Sequence, residues 1–356
     1  MDPGRSLVLP LKVGKAFTYN HERATAALHL FVSIPLMELT LTNDTTNLTY
    51  WLTWKFLLCA IWVFTSMIVA SYLIWKYEGS DNSENYKEAK QQERVWFNYD
   101  CEAWMPCIKG IHPKWLLAFR IISFLLLLAA GTTDIATHGT DLFFYYTQWT
   151  LSLVTFYFGF GSVLSAYGCL RQHKRYNVGV EQEFLLPLTH EVNTKGQHGK
   201  SQFFLTASFW GYIFQIMFQM IAGAVMLTDS VYWIVIAPFL TIVGYEMGFL
   251  TVLAHSLNLV LLLGDTALNS LCFPWFRISY FLLLTSFYVL FEWTIHSFIS
   301  TWWPYPFLDL SLDYAPLWYL IVALLHVPCY TIFFVIVKLK YYMLSRWFPE
   351  SFQSFR

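Results

Sequence analysis

Seven apolar runs dominate this chain, near 51–75, 114–136, 142–168, 207–236, 249–271, 275–299 and 316–338. Each is close to the roughly 20 residues that carry a helix across about 30 Å of hydrocarbon. Such a chain is expected to fold as an all-α, polytopic transmembrane helix bundle of about seven spans, with six or eight as the neighbouring counts. Charge supports the class, because only 13% of the residues are charged against about 25% in ordinary soluble domains. The net charge of −1 leaves no basic footprint for nucleic acid. Membrane lipid is the expected partner, and no nucleic acid.

Three regions follow. Residues 1–50 form an N-terminal segment, expected to be lumenal or extracellular and partly disordered; residues 51–345 form the bundle; residues 346–356 form a cytosolic tail. Within the first region, 24–35 reads ATAALHLFVSIP, which is apolar enough for a signal-peptide core. Pro35 and the lack of a small-residue cleavage site count against that reading. The six cysteines match no zinc spacing, and neither a metal nor an organic cofactor is implied. No internal repeat supports an inverted-repeat transporter.

Lysine and arginine cluster in the loops 76–113 and 169–206, at Arg277 and in the tail, and are absent from the connections near 137–141, 237–248 and 300–315. Seven spans put these two groups on opposite sides without exception. The positive-inside rule then places the N-terminus outside or in the lumen and the C-terminus in the cytosol. The sequons Asn43-Asp44-Thr45 and Asn47-Leu48-Thr49 fall on the glycosylated side, making Asn43 and Asn47 glycosylation candidates. Acids and bases interleave in the loop 76–113, which reads as a solvated linker.

Polar residues inside spans are costly and often mark function. Thr147 and His255 each stand about five or six residues into a span from its outer end, roughly 7–9 Å deep. Asp134, His138, Asp229 and His296 collect at the same level, and the loop Trp302-Trp303-Pro304-Tyr305-Pro306-Phe307-Leu308-Asp309 follows. Together they outline a candidate pocket toward the outer leaflet. Each has a plainer reading: a threonine bonded to a helix carbonyl, an interhelical imidazole, an aromatic belt at the membrane interface. His255, Asn258, Asp265 and Asn269 form a polar line along the fifth run. Asp265 is roughly 15 Å from His255 along a helix axis, too far to orient it. Pairing with Arg277, Arg120 or an amide near the cytosolic end is expected instead.

Several segments carry a resemblance. Tyr50-Trp51-Leu52-Thr53-Trp54-Lys55, Ile111-His112-Pro113-Lys114-Trp115, Tyr145-Tyr146-Thr147-Gln148-Trp149-Thr150, Phe209-Trp210-Gly211-Tyr212, His255-Ser256-Leu257-Asn258, Leu263-Gly264-Asp265-Thr266 and the Trp-Trp-Pro-Tyr loop resemble a plant family of multi-pass membrane proteins. That family is similar to the animal rolling stone proteins, which are linked to myoblast fusion. A more distant similarity is to the androgen-induced and androgen-dependent membrane proteins, intramembrane threonine hydrolases that cleave fatty acid esters of hydroxy fatty acids. Thr147 after its aromatic stretch, His255 with a carboxylate ten residues on, and Tyr305-Pro306-Phe307-Leu308-Asp309 match that pattern in order. The long polar loops depart from it.

The resemblance implies a lipid-ester hydrolase in which Thr147 attacks and His255 takes and returns the proton. Gln148, Tyr145 or a backbone amide would supply the oxyanion donors, and Asn258, Asp265, His296, Trp303 and Tyr305 are the remaining pocket candidates. Two other classes stand beside it. One is a non-catalytic protein of adhesion, fusion or membrane organisation; the other is a proton-coupled carrier using His255 and Asp265. The endoplasmic reticulum or another part of the endomembrane system, or the plasma membrane, is the expected location.

Overall fold

The computed structural model describes residues 44–78, 102–177, 197–237, 252–253, 255–299 and 302–352. The sequon at Asn43, the signal-like stretch, Cys101 and most of the two polar loops lie outside these residues. Seven helices correspond to the seven apolar runs: α1 (Trp54–Glu78), α2 (Pro113–His138), α3 (Tyr146–Asn177), α4 (Gln197–Val231), α5 (Leu257–Leu268), α6 (Ile278–Phe298) and α7 (Ala315–Trp347). The fold is an all-α polytopic bundle, in which six helices among the described residues are long and apolar enough to cross a membrane. The exception is α5, whose 12 residues give a rise of about 18 Å, short of a full crossing.

Local chemistry sets several of the helix ends. His112 accepts from the Lys114 amide at 3.2 Å, with Pro113 as the first helical residue, to start α2. At the other end Gly139, at φ 82°, takes a conformation that side chains resist and turns the chain into the short helix Thr140–Phe144. The fourth run continues further than its polar residues imply: Asp229 is buried within α4, and a π turn, Tyr232–Ile236, follows. Pro328 sits inside α7 without ending it, as bundled membrane helices tolerate.

Exposure separates a lipid-facing shell from a centre. On α1, Leu57, Ile61, Phe64 and Ile68 are exposed, and on α7 Leu317, Ile321, Leu324 and Val327 are. Apolar stripes of this extent do not face water in a monomer and suit lipid. Only 22% of the apolar window of α1 is buried, against 78% for α4, so α4 is the central post. Phe214, Phe218 and Ile221 of α4 are fully buried; α3, α6 and α7 all pack on that helix.

The two ends differ in chemistry. One, here the basic end, gathers Arg120, Arg277 and Lys340; the other, the aromatic end, gathers Tyr50, Trp51, Tyr145 and the loop 302–310. Residues 102–113, expected to be solvated, are instead partly packed into the basic end. Ala103, Trp104, Met105 and Cys107 are buried. The Cys107 amide donates to the Leu268 carbonyl at 3.0 Å, and the Ser270 hydroxyl donates to that of Met105 at 2.8 Å. Gly168 makes room for this plug, since a Cβ there would stand 2.1 Å from the Trp104 ring.

Candidate functional site

At the basic end the buried charged groups are paired, although the Trp104 indole and the Ser123 and Ser279 hydroxyls have no hydrogen-bond partner among the described residues. Arg120 Nε donates to Asp265 Oδ1 at 2.8 Å, and its Nη1 donates to the Ala103 carbonyl at 2.6 Å and to Ser165 Oγ at 2.7 Å. Tyr157 and Asn269 both donate to Asp265 Oδ2, at 2.6 and 2.8 Å. Of the expected partners of Asp265, Arg120 and an amide, that of Asn269, are therefore present, and Arg277 is not. These bonds make Asp265 a clamp between α2, α3 and α5, far from the candidate pocket, and Asn258 is buried on the same helix. Arg277 is tied in the same manner to Glu78 at 2.7 Å and to Gln215 and Gln219 at 2.8 and 3.0 Å. Tyr212 and Tyr280 also donate to the Glu78 carboxylate. Lys340 covers the carbonyls of Thr266 and Asn269 at 2.8 and 2.7 Å, closing the C-terminal end of α5.

The aromatic half is built around the loop 302–310. Tyr50 fastens it, donating to Asp309 Oδ1 at 2.8 Å and accepting from the Leu310 amide at 3.2 Å. Pro304, Leu308 and Leu310 are buried, so the loop dips into the bundle instead of lying wholly in an interfacial belt. Trp303 stacks on the His296 ring at 3.7 Å. Tyr305 packs edge-on against Tyr145 at 5.8 Å, while its hydroxyl lies at the backbone and side chain of Thr147. Burial pushes the Tyr305 hydroxyl above the usual tyrosine range, and hydrogen bonding from Thr147 opposes that shift. Thr147, Tyr305, Trp303 and His296 thus share one neighbourhood.

His255 stands in another. It precedes α5, stacked on Tyr232 at 3.7 Å, with its carbonyl accepting from Trp233 Nε1 at 2.9 Å. Asp134 is the charged group that acts on its ring. The same carboxylate binds His138 at 2.9 Å and accepts from Gln148 at 3.3 Å. Gln148 follows Thr147 on α3. Among the described residues no hydrogen bond joins Thr147 to His255. Both sit at the first turn or threshold of a helix, since α3 starts at Tyr146 and α5 at Leu257, rather than five or six residues deep.

Two features were not foreseen from the sequence, which singled out His296 but neither Glu292, Thr285 nor His326. Glu292 and His296, one turn apart on α6, are fully buried; both Glu292 carboxylate oxygens and His296 Nε2 have no hydrogen-bond partner among the described residues. Deeper in the bundle, His326 Nε2 meets Thr285 Oγ1 at 2.9 Å, and Thr285 Oγ1 meets the Tyr146 hydroxyl at 2.9 Å. A cavity of about 50 Å³ lies beside this pair, between α1, α6, α7 and the loop. Glu292 and His326 are ionisable residues within apolar runs, and that signal alone points to them. No group of metal-ligating side chains forms among the described residues, and five of the cysteines are free thiols there. Asn47 is exposed and caps the short helix Leu48–Trp51, its Oδ1 accepting from the Thr49 amide at 3.1 Å.

Compared with protein-family models, curated proteins and solved structures, the chain matches none.

Proposed function

We propose that this multi-pass membrane protein hydrolyses lipid esters, with the chemistry in the aromatic half of the bundle. The observation that carries the reading is the unequal use of polar groups. The buried ions of the basic end are consumed by ion pairs and carbonyls, whereas the aromatic half holds hydroxyls and imidazoles beside a cavity. Ester hydrolysis by a neutral nucleophile needs those two group types within reach of each other.

In the arrangement implied by the resemblance to the threonine hydrolases, Thr147 attacks the ester carbonyl and His255 takes its proton. Tyr305, beside Thr147, supports that arrangement as a hydroxyl donor for developing charge. A carrier relay through Asp265 is less well supported, because Arg120, Tyr157 and Asn269 occupy that carboxylate. The aromatic end faces the outside or the lumen in this reading, with Asn47 open to glycan transfer. Insertion of the full chain into microsomes is expected to add a glycan at Asn47, removed by Asn47→Gln; a cytosolic Asn47 reverses the orientation.

Reconstituted wild-type protein is expected to release fatty acid from a long-chain ester presented in vesicles. Well-folded protein that releases none overturns the reading. Thr147→Ala and His255→Ala each abolish turnover in the implied arrangement; turnover intact in both moves the chemistry to another hydroxyl and another imidazole.

A further inference from the structure

Thr285 and His326 are the hydroxyl and imidazole that the fold brings into hydrogen-bonding contact, and their proton arrangement follows from their partners. His326 Nδ1 lies 2.7 Å from the Val322 carbonyl of its own helix. A carbonyl only accepts, so Nδ1 carries the ring proton and Nε2 of the neutral ring keeps its lone pair. Thr285 is therefore the donor across the 2.9 Å contact. A competing acceptor, the Phe281 carbonyl, is farther away at 3.3 Å. The Tyr146 hydroxyl, 2.9 Å from Thr285 Oγ1, completes a row in which tyrosine gives to threonine and threonine gives to histidine.

The geometry points to Thr285 and His326 as a nucleophile and its general base, with Tyr146 as the donor to the developing oxyanion. This inference rests on the ester-hydrolase reading and assigns its chemistry to a different pair. The adjacent cavity supports the substrate class. Val63, Leu282, Val289 and Phe307 line it together with Thr285 and His326, and no carboxylate, lysine or arginine does, so the mouth of the site accepts the first carbons of an acyl chain and has no counter-charge for a charged headgroup. The substrate is therefore the ester of a single uncharged acyl chain, entering from the lipid. At roughly 10–15 Å³ each, about 50 Å³ has room for three to five waters, and one of them beside the first acyl carbons supplies the second half-reaction at a depth where bulk water is distant. His326 is 11 residues into α7, about 16 Å from its start.

The steps balance without a co-reactant beyond water. Thr285 Oγ gives its proton to His326 Nε2 and forms a bond to the ester carbon, and the carbonyl oxygen takes up the negative charge. The bond from that carbon to the alcohol oxygen breaks, and the leaving oxygen takes the proton from His326. Water then gives a proton to His326 and adds to the acyl carbon. The bond to Thr285 Oγ breaks, Oγ regains the proton, and the fatty acid leaves.

Full-length protein in nanodiscs, treated with a long-chain alkyl fluorophosphonate and mapped by peptide mass spectrometry, tests the assignment. The nucleophilic oxygen displaces fluoride and keeps the phosphonyl group. Modification is expected at Thr285, absent in Thr285→Val and retained in Thr285→Ser; His326→Gln is expected to slow it about 100-fold, the low end of general-base contributions. Size-exclusion and thermal melting establish that each variant is folded, and mapping of the wild type decides the outcome even where a variant does not fold. Modification at Thr147 with Thr285 unmodified overturns the Thr285–His326 assignment and leaves the hydrolase reading standing on Thr147. Folded wild type that takes up no label overturns both.

Discussion

The basic end and the aromatic half of this bundle treat their buried ionisable groups in opposite ways. Arg120 and Asp265 are fully buried, and each is satisfied on several sides. Glu292 and His296 are equally buried and 3.8 Å apart, yet three of their polar atoms have no hydrogen-bond partner among the described residues. Asp229 Oδ2, also toward the aromatic end, is a further orphan. Leaving such atoms unpaired costs about 1–3 kcal/mol each. A fold that completes one polar network and leaves another incomplete has put stability at one end and spare chemical capacity at the other. Residues at active sites commonly carry that kind of cost.

Breaking the stable end gives the largest expected effect. Asp265→Ala leaves the Arg120 guanidinium buried without its counter-charge and is expected to cost about 3–5 kcal/mol, read as a lowered melting temperature in detergent. Replacing both partners, Arg120→Met with Asp265→Leu, is expected to recover much of that loss. An Asp265→Ala protein as stable as wild type would mean that the clamp contributes nothing.

The opposite sign is expected at the other end. Glu292→Gln removes a buried carboxylate that has no hydrogen bond and only His296 Nδ1, at 3.8 Å, near it, and stability is expected to rise by about 0.5–2 kcal/mol, the usual yield of such corrections. A drop of similar size would show that Glu292 is paired in solution. The smallest effect belongs to Lys55–Asp313, a 2.8 Å pair at the aromatic end whose acid is 89% exposed. The Lys55 ammonium holds the Asp313 carboxyl below its usual range by hydrogen bond and charge. Any contribution is therefore present above the ordinary aspartate pKa and fades as pH falls below it. Solvent screening makes that contribution small, and Asp313→Asn is expected to leave the melting temperature unchanged near neutral pH.

The sequence discloses the two ends unequally as well. Hydropathy locates all seven helical segments, because lipid demands long apolar runs, and the match of 114–136 with Pro113–His138 is close. It cannot show where helices continue beyond the hydrocarbon, so α4 begins at Gln197 and α7 reaches Trp347, both outside the apolar windows. The pairing of Asp265 with Arg120 was legible, because two opposite charges in an apolar setting have few other choices. The contact between Thr285 and His326 was not. It depends on the relative rotation of α6 and α7, and 41 residues separate the partners. The plug at 102–109 was hidden for a related reason: its interleaved charges read as solvated, while Gly168 opening space for Trp104 is a property of two distant elements at once.

Parallel measurement of melting temperature and ester turnover on one set of reconstituted samples tests the division most directly. Thr285→Val is expected to lose turnover altogether while its melting temperature falls by only the several degrees that the two lost hydrogen bonds, to His326 and from Tyr146, produce. The Arg120→Met, Asp265→Leu protein is expected to turn over at the wild-type rate wherever it is folded. Turnover that falls only in step with melting temperature, at both ends alike, would contradict the separation of a structural end from a reactive one.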